Sequence, residues 1–88
     1  MGKLINIGFG NVVNSDKVMV IINPDSAPIK RMIQNAKDSG MAIDATQGRR
    51  TKSVIMMENQ QLILSALQPE TLTNRFHNIM SSKDEEDE

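Results

Sequence analysis

The chain has 88 residues, 39% of them apolar, with no Cys, Trp or Tyr and only Phe9 and Phe76 as aromatics. That length bounds it to one domain with a thin aliphatic core, in which seven Met serve as fillers, and the missing Cys excludes disulfides, thiolate zinc sites and cysteine nucleophiles together. The formal net charge of −1 hides a segregation: up to Ser82 nine Lys and Arg stand against six acids, a balance of +3, while five acids crowd Asp84 to Glu88.

The acidic run has nothing apolar to bury and repels itself, so residues 81–88 are expected to form a disordered acidic tail after a single domain over residues 1–80. Solubility is its simplest role; competition with an anionic ligand for the basic body is the sharper one. The longest apolar run, Val18 to Ile22, is far too short to span a membrane, and the N-terminus has no signal-peptide pattern. A cytoplasmic protein with no membrane partner is the expectation.

In chain order, Lys3 to Phe9 alternates as a strand, with Leu4 and Asn6 on one face and Ile5, Ile7 and Phe9 on the other. Gly8-Phe9-Gly10-Asn11 ends it, and Gly10 to Asp16 reads as a loop. Lys17 to Asn23 is β-branched and apolar on both faces, which suits a central strand. Asn23-Pro24-Asp25-Ser26 then breaks the chain and supplies N-cap candidates. Pro28 in the first turn, the helical recurrence of Ile29, Met32, Ile33 and Ala36, and Gly40 as a stop predict a helix over 27–38. Met41 to Thr46 is a short strand. Thr51 to Glu58 and Gln61 to Leu67 form a hairpin joined at Asn59-Gln60, and Pro69 opens a closing helix that carries Leu72, Phe76, Ile79 and Met80 on one stripe. The sum is an α+β domain: a small, mainly antiparallel sheet of four to five strands with two helices. Because the strands are apolar on both sides and two short helices cover one side, the second side needs another cover. A second copy of the chain would supply it, head to tail in a ring or filament or face to face in a dimer; the alternative is the Gly10 to Asp16 loop folding over.

Few residues carry chemistry. His77 is the one His and has no motif around it, and the body carboxylates are unpaired in sequence, so neither an enzyme nor a metal site is expected, nor any cofactor or small-molecule substrate. Gly8-Phe9-Gly10 begins like a dinucleotide fingerprint but lacks its third Gly and a following βαβ unit; a turn is the better reading. The cations are more informative. Gly48-Arg49-Arg50-Thr51-Lys52-Ser53 sets three cations and two hydroxyls in six residues. Guanidinium groups grip phosphate or read guanine edges bidentately, Lys52 shares the face of Arg50 on an extended strand, and Thr51 and Ser53 can add hydrogen bonds to phosphate oxygens.

Four blocks, Lys3 to Asn11 (KLINIGFGN), Ser26 to Gln34 (SAPIKRMIQ), Ile43 to Thr51 (IDATQGRRT) and Leu62 to Thr71 (LILSALQPET), together resemble the RemA family of extracellular matrix regulatory proteins, over roughly residues 3 to 76. The resemblance implies a LytTR-like fold and a DNA-binding transcriptional activator of biofilm matrix operons that binds double-stranded promoter DNA as a homo-oligomeric ring. It further implies that Arg49 and Arg50 contact DNA. A third family arginine falls on Lys17, which keeps the charge for a phosphate contact and loses the bidentate fork. Lys52 is added from its position alone, with Lys30 and Arg31 as further candidates if the first helix faces DNA. A body of +3 neutralises few phosphates by itself; repetition around a ring multiplies it. Two other readings stay open: a scaffold oligomer whose partner is a protein, and a small enzyme using His77.

Overall fold

A computed structural model describes residues 3–80 of the chain; the acidic run expected as a tail lies outside them. The element order is β1 (Leu4–Gly8), β2 (Asn11–Asn14), a 3₁₀ turn (Ser15–Lys17), β3 (Val18–Ile22), α1 (Ala27–Asp38), β4 (Ala42–Asp44), β5 (Ser53–Met57), β6 (Leu62–Ser65) and α2 (Pro69–Met80). The strands form two sheets. β3, β5, β6 and β4 lie side by side in that order, while β1 and β2 make a separate antiparallel ribbon. Within the larger sheet β3–β5 and β5–β6 are antiparallel and β4–β6 is parallel, so the α+β class stands, with the expected single sheet divided in two.

Local chemistry accounts for most boundaries. The Ser26 hydroxyl accepts the Ile29 N–H at 3.4 Å at the start of α1, with Pro28 in the first turn. At the other end Gly40 adopts φ +77°, and the N–H groups of Gly40 and Met41 donate to the carbonyls of Lys37 and Ala36 (3.3 and 2.8 Å), which is a Schellman stop. The β5–β6 connection uses Glu58, Asn59 and Gln60, with Gln60 at φ +70° and its N–H on the Met57 carbonyl, a three-residue hairpin loop closed by a left-handed residue. The expected loop at Gly10 to Asp16 is instead β2: four residues are too few to show an alternating pattern, and the strand forms by pairing Val13 with Ile5 and Val12 with Asn6.

This ribbon resolves the packing problem without a second copy. One face of the larger sheet, with Val54, Leu62 and Leu64, packs under α1 through Ala36, Met32, Ile33 and Ile29. The other face, with Ile55 and Ile63, packs against Ile5, Ile7 and Val13 of the ribbon and Leu72 and Phe76 of α2. Both faces are therefore covered by the chain itself, and the inference from doubly apolar strands to an oligomer does not hold. The missing term was the ribbon, which doubles the number of covering layers. A bulge between Val18 and Val20 turns Val18 and Ile21 together toward the ribbon side and leaves Met19 61% exposed. What stays uncovered is at the margins: Met19 and Val20 on β3, Ile43 on β4, and Leu4 and Val12 on the ribbon.

Candidate nucleic-acid interface

The Gly48 to Ser53 cluster sits on a loop held at both ends. The Ala45 N–H donates to the Leu64 carbonyl and the Lys52 N–H to the Ser65 carbonyl, both at 2.9 Å, so residues 46–51 make a closed excursion across the end of β6. Within it Gln47 (φ +56°) and Gly48 (φ +80°) are both left-handed, and the Arg49 N–H donates to the Thr46 carbonyl at 3.0 Å; these are the marks of a type I′ turn. Thr46 is buried and anchors the turn: its N–H and hydroxyl both donate to Asp44 Oδ1, at 2.9 and 2.6 Å. The Thr46 hydroxyl, and then its N–H, hold the Asp44 carboxyl below the usual aspartate range because both donate to the charged form.

A second turn of the same type lies alongside. Phe9 (φ +53°) and Gly10 (φ +80°) connect β1 to β2 between the paired residues Gly8 and Asn11. The turn swings Phe9 out of the face it was expected to share with Ile5 and Ile7, and the residue is 48% exposed. The Arg49 Cζ lies 5.5 Å from the ring centroid. Phe9, Arg49, Arg50 and Lys52 line one pocket of about 380 Å³ together with Gly8, Ala66 and Leu67.

Arg50 also lines two adjoining pockets. One, of about 170 Å³, includes Lys52, Thr51, Asn23 and Gln68; the other, of about 240 Å³, includes Lys30 from the first turn of α1. Asp25 borders both. Arg49, Arg50 and Lys52 are exposed, and none forms a salt bridge with a described carboxylate. The geometry thus brings together Arg49, Arg50, Lys52 and Lys30, while Arg31, one residue further along α1, lines none of these pockets.

Two expectations change. Ser53 is fully buried and its hydroxyl donates to the Leu67 carbonyl at 2.6 Å, so it has no donor to offer a ligand; the strand begins at Ser53 and turns that side chain inward. Lys17 lies elsewhere. Its carbonyl accepts the Glu58 N–H (2.8 Å) and its ammonium pairs with Glu58 Oε1 (3.6 Å), at the end of β5 opposite Lys52. The five residues of β5 separate Lys52 from Glu58, six steps along the chain or roughly 20 Å. His77 is exposed on α2 and lines none of these pockets. Among the described residues no three His, Asp or Glu side chains gather as metal ligands, and no helix is long and apolar enough to cross a membrane. Sequence reading missed Phe9, for which the signal was an aromatic between two glycines, and Arg75, whose Nη1 donates to the Asn6 carbonyl at 2.7 Å beside the same turn and which carries no local signal.

Comparison with known proteins gives one answer. The family model described as extracellular matrix regulatory protein A-like matches residues 4–76. The extracellular matrix regulatory protein A of Bacillus subtilis is 58% identical over 74 residues, covering 84% of this chain and 83% of the relative. A regulatory protein of Lachnoclostridium phytofermentans is 61% identical over 77 residues (88% and 85%), and one of Clostridium kluyveri is 57% identical over 86 residues (98% and 89%). With the matched span running from β1 into α2 and taking in both turns and the cationic loop, the chain belongs to the RemA-like family of regulatory proteins.

Proposed function

We propose that this chain is a DNA-binding transcriptional regulator that activates extracellular matrix operons, gripping promoter DNA as a homo-oligomeric ring. The observation that carries the reading is Arg50 at the junction of three pockets that also hold Arg49, Lys52 and Lys30, on a loop pinned at both ends and without a described salt bridge to neutralise it. Guanidinium forks presented this way suit phosphate oxygens and guanine edges. The relatives' names, regulatory protein and extracellular matrix regulatory protein A, supply the biological setting.

Assembly is supported by the margins of the larger sheet rather than by its faces. β3 and β4 each pair on one side only and carry exposed apolar side chains, Met19 and Val20 on one, Ile43 on the other. The two surfaces differ, so a contact between them is head to tail, and a head-to-tail contact that closes makes a ring. Each protomer body contributes +3; identical sites side by side raise avidity by ~10²–10⁴ over one site. Lys17 adds a phosphate contact apart from the main cluster. Its pairing with Glu58 is more than half exposed on both sides and yields readily to a phosphate.

The test is binding of a promoter fragment across a salt series, with mass measured in parallel. Affinity is expected to fall with a log–log slope near −0.9 for each phosphate contacted, and Arg50→Ala to abolish binding while leaving mass and fold intact. Unchanged affinity in Arg50→Ala removes the central assignment. A partner interaction indifferent to salt points to the protein-scaffold reading instead.

A further inference from the structure

We propose that Phe9 is a positioning residue for Arg49: its ring holds the Arg49 guanidinium in place so that the arginine reads a base edge instead of sampling neighbouring phosphates. This rests on the DNA-binding reading above and deepens it.

The first observation is that Phe9 is a poor choice for its backbone. The first central position of a type I′ turn needs positive φ and favours Asn, Asp or Gly, yet a bulky aromatic stands there at +53°. Such strain persists where the surroundings over-determine it. Here four side chains do so. Asn6 Oδ1 accepts the Gly8 N–H (2.7 Å), Asn11 Nδ2 donates to the Gly8 carbonyl (3.0 Å), Ser65 Oγ donates to the Ile7 carbonyl (2.8 Å), and Arg75 Nη1 donates to the Asn6 carbonyl (2.7 Å). Core packing does not explain the residue, since Phe9 is about half exposed while Ile5 and Ile7 of the preceding strand are buried.

What lies over the ring is Arg49, its Cζ 5.5 Å from the centroid. The form of that contact matters. A carboxylate partner would take up guanidinium N–H donors and cancel the charge; an aromatic ring attracts the cation through its π face without neutralising it, and leaves the charge and donors available to a ligand. Arg49 is anchored from the backbone side as well, through its N–H on Thr46 at the close of the other type I′ turn. Two rigid turns therefore meet through one aromatic and one cation at the rim of the same pocket. An arginine held so loses little further freedom when it engages a bidentate acceptor, which favours a guanine edge at one position over phosphates at many.

The experiment combines a DNA-free readout with a double-mutant cycle, using the full chain. Leu at position 9 keeps the apolar bulk and the same backbone strain, so Phe9→Leu should fold and melt like the parent. Without DNA, the Arg49 side-chain protons are expected to show an upfield ring-current shift in NMR spectra, lost in Phe9→Leu and kept in Phe9→Tyr. With DNA, Phe9→Leu is expected to weaken promoter binding about 5- to 10-fold, with affinity for an unrelated duplex and the salt slope unchanged. Phe9→Tyr retains promoter affinity, and Phe9→Leu has no further effect in an Arg49→Ala background. Additive losses in that background, equal losses on both duplexes, or an absent ring-current shift overturn the positioning role. Promoter binding by the parent that is indifferent to Phe9→Leu overturns this proposal alone. No binding to either duplex by the parent overturns the DNA reading, and the base-reading role with it.

Discussion

Arg50 and Lys17 make different demands at the residue scale. Arg50 lines three pockets and presents a planar fork, so on the proposed reading Arg50→Lys keeps the charge and the salt slope but lowers promoter affinity by about tenfold, the size of one lost bidentate contact. Lys17 is a point charge some way off. Lys17→Ala is expected to weaken all duplexes alike and to reduce the log–log salt slope by about 0.9. Both are read from binding isotherms at several salt concentrations. Asp44 gives a pH dependence. Its folded-state pKa is depressed, chiefly by the Thr46 hydroxyl, so its stabilising effect is present above the ordinary aspartate value and is lost as pH falls through the lower folded value. Asp44→Ala is therefore expected to melt below the parent at neutral pH, and the gap to narrow in acid; a gap that widens in acid contradicts the assignment.

At the scale of elements, the conformational strain sits in the connections: Phe9 and Gln47 in the two turns and Gln60 in the β5–β6 loop hold positive φ without being glycine. Gln47 occupies a left-handed position that Asn tolerates better, ahead of Gly48. Gln47→Asn is expected to add about 0.5 kcal/mol, a rise in Tm of roughly 2–4 °C for a domain of this size. Gly48→Ala is expected to cost about 1–2 kcal/mol, because a Cβ there meets open space and the whole penalty is backbone conformation. Thermal melts of the two variants should move in opposite directions. Some elements were legible before any fold was known, for reasons that reside in a few residues. α1 spans Ala27–Asp38 as expected because Ser26, Pro28 and Gly40 punctuate it locally. β2 was not legible, since Asn11-Val12-Val13-Asn14 is too short to announce itself and is a strand only by virtue of its partner. β4 is shorter than expected, Ala42–Asp44, because Asp44 turns its carboxylate onto Thr46 and ends the run.

For the whole molecule, the central strand is the point of greatest sensitivity. Ile55 is fully buried between the larger sheet and the ribbon, so Ile55→Ala is expected to cost about 2–5 kcal/mol and to lower the melting temperature accordingly. Assembly is a separate matter, carried at the sheet margins. Met19→Lys on β3 and Ile43→Lys on β4 place charges on opposite edges without entering the core. Each is expected to reduce the sedimenting mass of the protein while preserving its circular dichroism; a mass unchanged in both variants argues against edge-to-edge closure.

The amino-acid order alone determined the α+β class, the punctuation of α1, the turn before the cationic run and the segregation of charge, because each depends on residues within a few positions of one another. Family membership was equally legible, since it is a property of four contiguous blocks. Only the tertiary structure decided that the ribbon covers the second face of the sheet, that Ser53 points inward, that Lys17 sits far from Arg50, and that Arg49 lies over the Phe9 ring. All four are consequences of pairing between segments: β1 with β2 over a left-handed turn, β3 with the distant β5 in one register, and the cationic loop with the last carbonyls of β6. A pattern of side chains along a strand states which faces are apolar, but what lies against each face is set by where the rest of the chain returns.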